Sequence, residues 1–441
     1  RGRRRRVRPR HVREGPAMTT ADYHALLARQ EAKRLRQSLL AAPAATATPP
    51  AGPAPVRDPY ADGGHDRAHD QWVITRDLPL VTPFGRLIAH LYDAMFDRHP
   101  YLRALFPDSM DFQRAHLERA FHHLVEHLHR PATLAAHCAA LGRDHRRLGV
   151  RPVHFTAFEE SLAEALRRSA GTAWTPELEG AWLRMLRCAV AAMVAGAEQA
   201  AGEPTYWNAE VTHHRQATTG DGGAVAVLRV RTSEPYSYRA GQYASVESPL
   251  LPQTWRPYAL ASAPGSGDAE PEFHVRVTGP GGVSEALALH TRPGDTLRLG
   301  PPRGTMTLDD AELAARDVLI VAAGTGWATA KALLEDLAAR RPPGRAAHLV
   351  LTARSRAGLY DAAGLERLEE RCPWLRVTLA PAAYADGADP LRHLGPLGDP
   401  AHHTAYVSGP PGMVDATVRA LAERGLPQHR IHYNPAPPQM N

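Results

Sequence analysis

The sequence is poor in cysteine. It holds three in 441 residues, and Cys138, Cys188 and Cys372 lie far apart. That spacing excludes a disulfide framework and fits a reducing cytosol. No HExxH motif and no Cys/His cluster occurs, so nothing points to zinc. No run of about 18 apolar residues is present, which argues against a membrane span. The N-terminal region lacks the apolar segment of a signal peptide. A cytoplasmic protein without a membrane partner is expected.

A basic face is missing too, although the formal net charge is +6. Residues 1–17 carry eight arginines and one glutamate, or +7, which leaves −1 for the remainder. The basicity is a terminal run, so a nucleic-acid partner is not expected. Met18 opens a more ordinary sequence, and residues 1–17 read as translated upstream sequence or a cloning remnant.

What the chain does have is room for two or three domains. Residues 1–69 combine the basic tail, a helical stretch over 19–42 and a Pro/Ala linker that cannot pack a core. Residues 70–205 show helix-period apolar patterns and predict an all-α domain. Phe84, Leu87, Ile88, Leu91 and Met95, for example, fall on one face. Segments 113–129, 155–169 and 177–200 behave in the same way, and prolines punctuate them. Residues 206–310 hold short alternating runs, such as AVAVLRVRT (224–232) and FHVRVT (273–278), and predict an antiparallel β-barrel. Residues 311–441 alternate strands with helices and predict a doubly wound parallel sheet.

Four motifs carry chemistry. In the sheet domain, DVLIVAAGTG runs a buried strand into glycines, and a helix follows. A backbone there can approach a pyrophosphate, and the helix N-terminus offers unpaired N–H groups. Gly324, Thr325, Gly326 and Thr329 are the candidates, with Ser408, Gly409, Pro410 and Met413 of a later strand end facing the same crevice. A nicotinamide nucleotide is the expected ligand. In the barrel, the run Trp255 to Ser262 contains Arg256, Pro257, Tyr258 and Ala259, which reads almost as the R-x-Y-S flavin-binding turn. Arg256 can neutralise a phosphate, and Tyr258 can lie against an isoalloxazine ring. The loop holding Gly282, Val283 and Ser284 presents N–H groups and a hydroxyl to a diphosphate. In the helical domain, LGRDHRRLGV puts His145 near a helix end, while Tyr92 and Gln113 lie upstream. One of 24 histidines is more often solvated or capping than a ligand. Yet an apolar pocket with a His on one side and a Tyr and a Gln on the other suits haem.

With these residues in view, the chain resembles the flavohaemoglobins, globins fused to an FAD/NAD(P)H reductase module. The resemblance covers about residues 70–435 and runs through AHLYDAMFDRHPYLRALFP, QRAHL, DHRRLGV, GQY (with Tyr243), W-R-P-Y, GGVS, G-x-G, GPPGM and IHY in that order. It implies three cofactors: haem b with its iron held by His145, FAD, and NADH or NADPH. It implies hydride transfer to FAD and single-electron transfer to haem. Dioxygen is then stabilised by Tyr92 and Gln113 and attacks nitric oxide to give nitrate, with Tyr258 at the flavin. The substrates are small molecules, and no obligate protein partner is implied.

The sequence also departs from the family pattern. Ala259 stands for a serine whose hydroxyl lies near the flavin N5, and Phe155 for a tyrosine beside the proximal histidine. Glu198 lies one position from the expected acidic partner. Asp144 replaces a lysine, Thr329 a proline, Ser408 a cysteine and Ala436 a covering phenylalanine. Two alternatives therefore stay open. One is an oxidoreductase acting on oxygen, peroxide or a partner protein; the other is a haem-based oxygen or nitric oxide sensor with a weakened reductase. Arg354 and Arg356 follow the second sheet strand, where a 2′-phosphate would lie, although NADH is the family's more usual donor.

Overall fold

The computed structural model describes residues 57–434 except 221, 265–269, 342, 354 and 381–401. The expected helix over 19–42, the Pro/Ala linker, Arg354 and Ala436 fall outside the described residues.

Six helices build the first domain: α1 (Arg67–Arg76), α2 (Phe84–Arg98), α3 (Asp111–His127), α4 (Pro131–Arg146), α5 (Pro152–Ala170) and α6 (Pro176–Gln199). Three begin with proline, where the missing N–H costs nothing and φ is already helical. Phe84, Leu87, Ile88, Leu91 and Met95 are all buried, as the 3.6-residue spacing requires. Helix α6 is long and apolar enough to cross a membrane by length and composition alone. Here its residues Leu178, Ala181, Trp182, Met185 and Ala189 are instead the centre of the helical core.

The folded body starts before residue 70, which corrects the expected boundary. Asp70 is only 1% exposed, and a buried carboxylate needs partners. The Tyr60 hydroxyl donates to it at 2.7 Å, and Arg184 donates from two nitrogens at 2.7 Å each. Tyr60 is thereby drawn into the core, and Asp58 pairs with Arg67.

The second domain is a six-stranded antiparallel sheet of β1 (Trp207–Thr218), β2 (Ala224–Thr232), β3 (Tyr243–Glu247), β4 (Trp255–Ala259), β5 (Glu272–Arg276) and β6 (Thr296–Leu299), in the order β4-β3-β6-β1-β2-β5. An antiparallel bridge between Leu260 and Phe273 joins its outer strands, so the sheet closes into a barrel. The stretch read as a flavin-binding turn is therefore strand β4, paired with β3 from Tyr243↔Ala259 to Glu247↔Trp255.

The third domain is a parallel sheet of β7 (Asp317–Ala323), β8 (Ala347–Thr352), β9 (Leu375–Ala380), β10 (His403–Ser408) and β11 (Ile431–His432), in the order β11-β10-β7-β8-β9. Helices α7 (Asp310–Ala315), α8 (Gly326–Arg340), α9 (Ala362–Arg371) and α10 (Pro411–Glu423) accompany it. Strands β7, β8 and β10 are buried almost throughout, as the middle of a sheet covered on both faces needs, while the edge strand β9 is mostly half-buried.

Helices α4 and α6 cross at backbone contact. A methyl group at Gly142 would sit 1.9 Å from the Met193 carbonyl oxygen, and one at Gly196 would sit 2.3 Å from that of Ala139. Both neighbours are backbone, so neither side can yield alone. Gly142→Ala and Gly196→Ala are each expected to destabilise the helical domain by about 1–3 kcal/mol. A lowered denaturation midpoint by circular dichroism checks this, with Gly85→Ala, which meets open space, as the neutral control.

Candidate functional site

In the helical domain, Tyr92 projects from α2 into an aromatic trio. Its ring stacks on Phe96 at 5.8 Å, and Phe106 meets both rings edge-on. The residue is 5% exposed, and its hydroxyl has no hydrogen-bond partner among the described residues. Burial pushes its pKa up, so it stays a neutral donor. Gln113 opens the first turn of α3, and its Oε1 is buried without a partner. His145 lies in the last turn of α4, where its Nδ1 is 2.8 Å from the Leu141 carbonyl oxygen. A carbonyl only accepts, so Nδ1 carries the proton and the Nε2 lone pair is left for a ligand. Burial lowers the His145 pKa, which keeps the ring neutral. An imidazole tautomer fixed in this way, an unpartnered amide oxygen and an unpartnered phenol in an apolar core fit a haem better than a filled core. Among the described residues no group of three His, Cys, Asp or Glu could hold a free metal ion.

Among the described residues no carboxylate hydrogen-bonds His145. Glu198 is exposed on α6, and the proton of His145 goes to a neutral carbonyl. Phe155 packs against the helical core. Asp144 turns outward and pairs with Arg303 of the barrel and with Arg147.

In the barrel, Tyr243 and Ala259 stand opposite each other on β3 and β4, and Tyr258 pairs with Ala244. Gly304 makes room for the Tyr243 ring, since a methyl there would lie 3.2 Å from it. Burial raises the Tyr258 pKa. Arg256 has no carboxylate partner among the described residues; one guanidinium nitrogen donates to the Trp255 carbonyl at 3.0 Å. Burial lowers its pKa, as a desolvated cation without a counter-ion requires. These features fit a diphosphate ligand. The Gly281–Ser284 loop is less open than its composition implies. The Ser284 hydroxyl is buried and accepts from the Thr278 amide at 3.2 Å, and Glu285 takes the Gly281 N–H at 2.5 Å. Gly282 caps a short helix, Val283–Glu285, and Val283 is a core side chain. The hydroxyl therefore shapes the turn, which leaves backbone amides as the presenting groups.

In the parallel sheet, β7 and β10 are neighbours in register up to Ala322↔Ser408, so their carboxyl ends open together. Gly324 has φ +55, and Thr325 precedes α8. Gly326 packs so closely that a methyl there would lie 2.1 Å from the Ser408 carbonyl oxygen. Gly409 is likewise pressed against Ala323 and Met413, while Pro410 leads into α10. Thr329 and Met413 are 3% and 1% exposed, which corrects their reading as ligand-facing residues. They hold the two loops from within. No sequence motif marks Arg276 on β5, whose guanidinium lies 3.9 Å from where a methyl on Gly324 would sit. It is a cation beside the glycine loop, in a strand that alternation alone marks as ordinary.

A buried network ties barrel to sheet. Lys331 of α8 donates to the Ala261 carbonyl at 3.0 Å and pairs with Glu272 at 3.1 Å and Glu335 at 2.9 Å. His274 donates from Nε2 to Glu272 and accepts from the Tyr360 hydroxyl. Trp327 donates to Asp361, which also binds Arg215 of β1.

Residues 89–193 match the globin family. A flavohemoprotein of Bordetella pertussis is 28% identical over 400 residues, spanning 80% of this chain and 94% of that protein. Flavohemoglobin from Malassezia yamatoensis, solved with bound FAD and heme, superposes with a TM-score of 0.62 at 20% identity, over 83% of this chain and 98% of that one. Along most of its length the chain is thus similar to flavohemoproteins, with the globin match lying in its helical domain. The chain is also 32% identical over 213 residues to the ferredoxin–NAD(P)(+) reductase component of a Pseudomonas putida naphthalene 1,2-dioxygenase system, spanning 46% of this chain and 62% of that protein.

The helical domain holds Tyr92, Gln113 and His145, and the parallel sheet holds the paired strand ends. Arg356 is held bidentately by Glu369. A guanidinium occupied in that way is a poor receptor for a 2′-phosphate. Arg356→Ala is expected to leave the ratio of NADPH to NADH steady-state rates unchanged.

A second expectation concerns acid. Burial alone would raise the Glu272 pKa, but the His274 hydrogen bond and the Lys331 and Arg229 charges hold it well below the usual carboxylate range. The stability this contributes is present above about pH 4.5 and is lost as pH falls below it. Glu272→Gln is expected to be less stable than the parent at pH 7, with a flatter loss of midpoint between pH 5 and about 3. Denaturant titrations across that range check it.

Proposed function

We propose that this protein is an NAD(P)H-dependent flavohaem oxidoreductase that converts nitric oxide and dioxygen to nitrate. The observation that carries the reading is His145. Its Nδ1 proton is committed to Leu141, its ring is neutral, and its Nε2 has no hydrogen-bond partner among the described residues. Haem b and FAD, when bound, supply the one-electron and hydride chemistry.

The chain's own residues divide the remaining work. His145 would hold the iron through Nε2. Tyr92 and Gln113 would offer an O–H and an N–H to a small molecule bound on the opposite side. The Phe96 and Phe106 rings packed on Tyr92 would limit water there and so strengthen those hydrogen bonds. In the reductase module, Arg256 and the amides about Gly282 would neutralise a diphosphate, and Tyr243 and Tyr258 would support an isoalloxazine ring beside Ala259. The Gly324–Gly326 turn and the Ser408–Pro410 turn would take the nicotinamide nucleotide, with Arg276 answering its charge. The occupied Arg356 favours NADH.

A second reading is a reductase acting on oxygen, peroxide or a partner protein, with the globin as relay. Two observations favour it: Ala259 has no hydroxyl to offer, and His145 donates to a neutral carbonyl rather than a carboxylate.

Purified protein is expected to show a haem Soret band with flavin shoulders, and to form nitrate in step with NADH loss when nitric oxide and oxygen are present. Fast haem reduction without nitrate selects the second reading. Tyr92→Phe removes one donor worth about 1–3 kcal/mol, so nitrate formation is expected to fall about 5- to 150-fold with flavin reduction unchanged. Ala259→Ser is expected to speed flavin reduction by NADH in stopped-flow traces.

A further inference from the structure

Two consecutive residues of strand β4 grip two different helices of the globin. The Trp255 ring lies under the Arg147 guanidinium at 5.0 Å, and the Arg256 guanidinium lies over the Phe112 ring at 3.9 Å. Neighbouring side chains of a strand point to opposite faces, which is how one strand reaches both. The partners are not arbitrary. Arg147 stands two residues beyond His145, and Phe112 is the residue immediately before Gln113. The strand paired with β4 adds a third tie. The Tyr243 backbone of β3 exchanges hydrogen bonds with Arg303 at 2.9 and 2.8 Å, and the Arg303 side chain pairs with Asp144, the neighbour of His145.

The distal tie has a property the others lack. Arg147 and Arg303 share a carboxylate, Asp144, and are anchored whatever else happens. Arg256 has no such anchor among the described residues, only the Trp255 carbonyl and the face of Phe112. A diphosphate and the Phe112 ring thus both act on one guanidinium, and a cation drawn toward an anion changes its contact with the ring. Coupling of this kind needs one element on which both sites act, and Arg256 is that element.

We infer that Phe112 is a positioning residue through which the dinucleotide site of the reductase module acts on Gln113 and the distal side of the globin. This rests on the reading that haem sits on His145 and FAD at Arg256. The coupling is reciprocal: if the dinucleotide changes how the globin holds its ligand, the ligand changes dinucleotide affinity by the same factor.

The test uses full-length haem-loaded protein with carbon monoxide as the probe. The C–O stretching band is recorded with FAD bound and with FAD removed, and the FAD dissociation constant is measured with and without carbon monoxide. The parent protein is expected to show a band shift on FAD binding and a several-fold change in FAD affinity. Phe112→Leu is expected to lose both responses while keeping its Soret band and its ability to bind FAD. Phe112→Tyr, which keeps the aromatic face, is expected to retain them and controls for folding. A parent band indifferent to FAD, or a Phe112→Leu protein that still responds, overturns the inference. A parent protein without a Soret band or without FAD binding overturns instead the reading beneath it.

Discussion

Lys331 makes the interaction on which the joining of barrel and parallel sheet depends. Its ammonium is almost wholly buried between Glu272 and Glu335, and its third bond goes to the carbonyl of Ala261, two residues past the flavin motif. Burying a cation is costly unless each of its protons is met, and here each is. The gain lies in direction. Apolar packing would let the barrel slide against the parallel sheet, whereas two charge-assisted bonds, to Glu272 of β5 and to the Ala261 carbonyl, fix the helix that follows the glycine loop to the barrel, and Glu335 of the same helix completes the set. Hydride transfer tolerates little error in distance, so a rigid tie at this boundary suits the proposed chemistry.

Much of the fold was legible in the sequence, for physical reasons that differ by region. The helices were readable because residues such as Phe84, Leu87, Leu91 and Met95 repeat at helical spacing and are buried for that reason. The parallel strands were readable as short apolar runs ending in glycine. Strand β1 was not: only Ala209 and Val211 of its twelve residues are buried, and a bulge between Val211 and His213 breaks the alternation. The start of the helical domain was hidden as well. Tyr60 and Asp58 sit in a polar, glycine-containing stretch, and only their partners Asp70 and Arg67 reveal that they are packed.

The site was legible where function depends on residue type and obscure where it depends on packing. His145, Tyr92, Gln113 and Arg256 carry chemistry in their side chains, and a pattern can find them. Thr329 and Met413 fell within motifs but turned out to be interior supports. Ser284 spends its hydroxyl on Thr278. Arg276 and Phe112 belong to no motif, because what matters about each is a neighbour distant in sequence. Asp144, which stands where the resemblance expects a lysine, has a partner in Arg303.

The close fit of Gly326 and Gly409 has a bearing on evolution. A methyl at Gly326 would strike the Ser408 backbone, and one at Gly409 would displace the end of Met413 and crowd Ala323, so the protein itself resists a larger residue at either position whether or not a nucleotide ever arrives. Selection on folding alone would preserve these two glycines. A descendant that had ceased to use a nicotinamide nucleotide would still display most of the glycine signature. Loss of function would be recorded first at open positions such as Gly282, where an added methyl meets nothing and drift is unopposed.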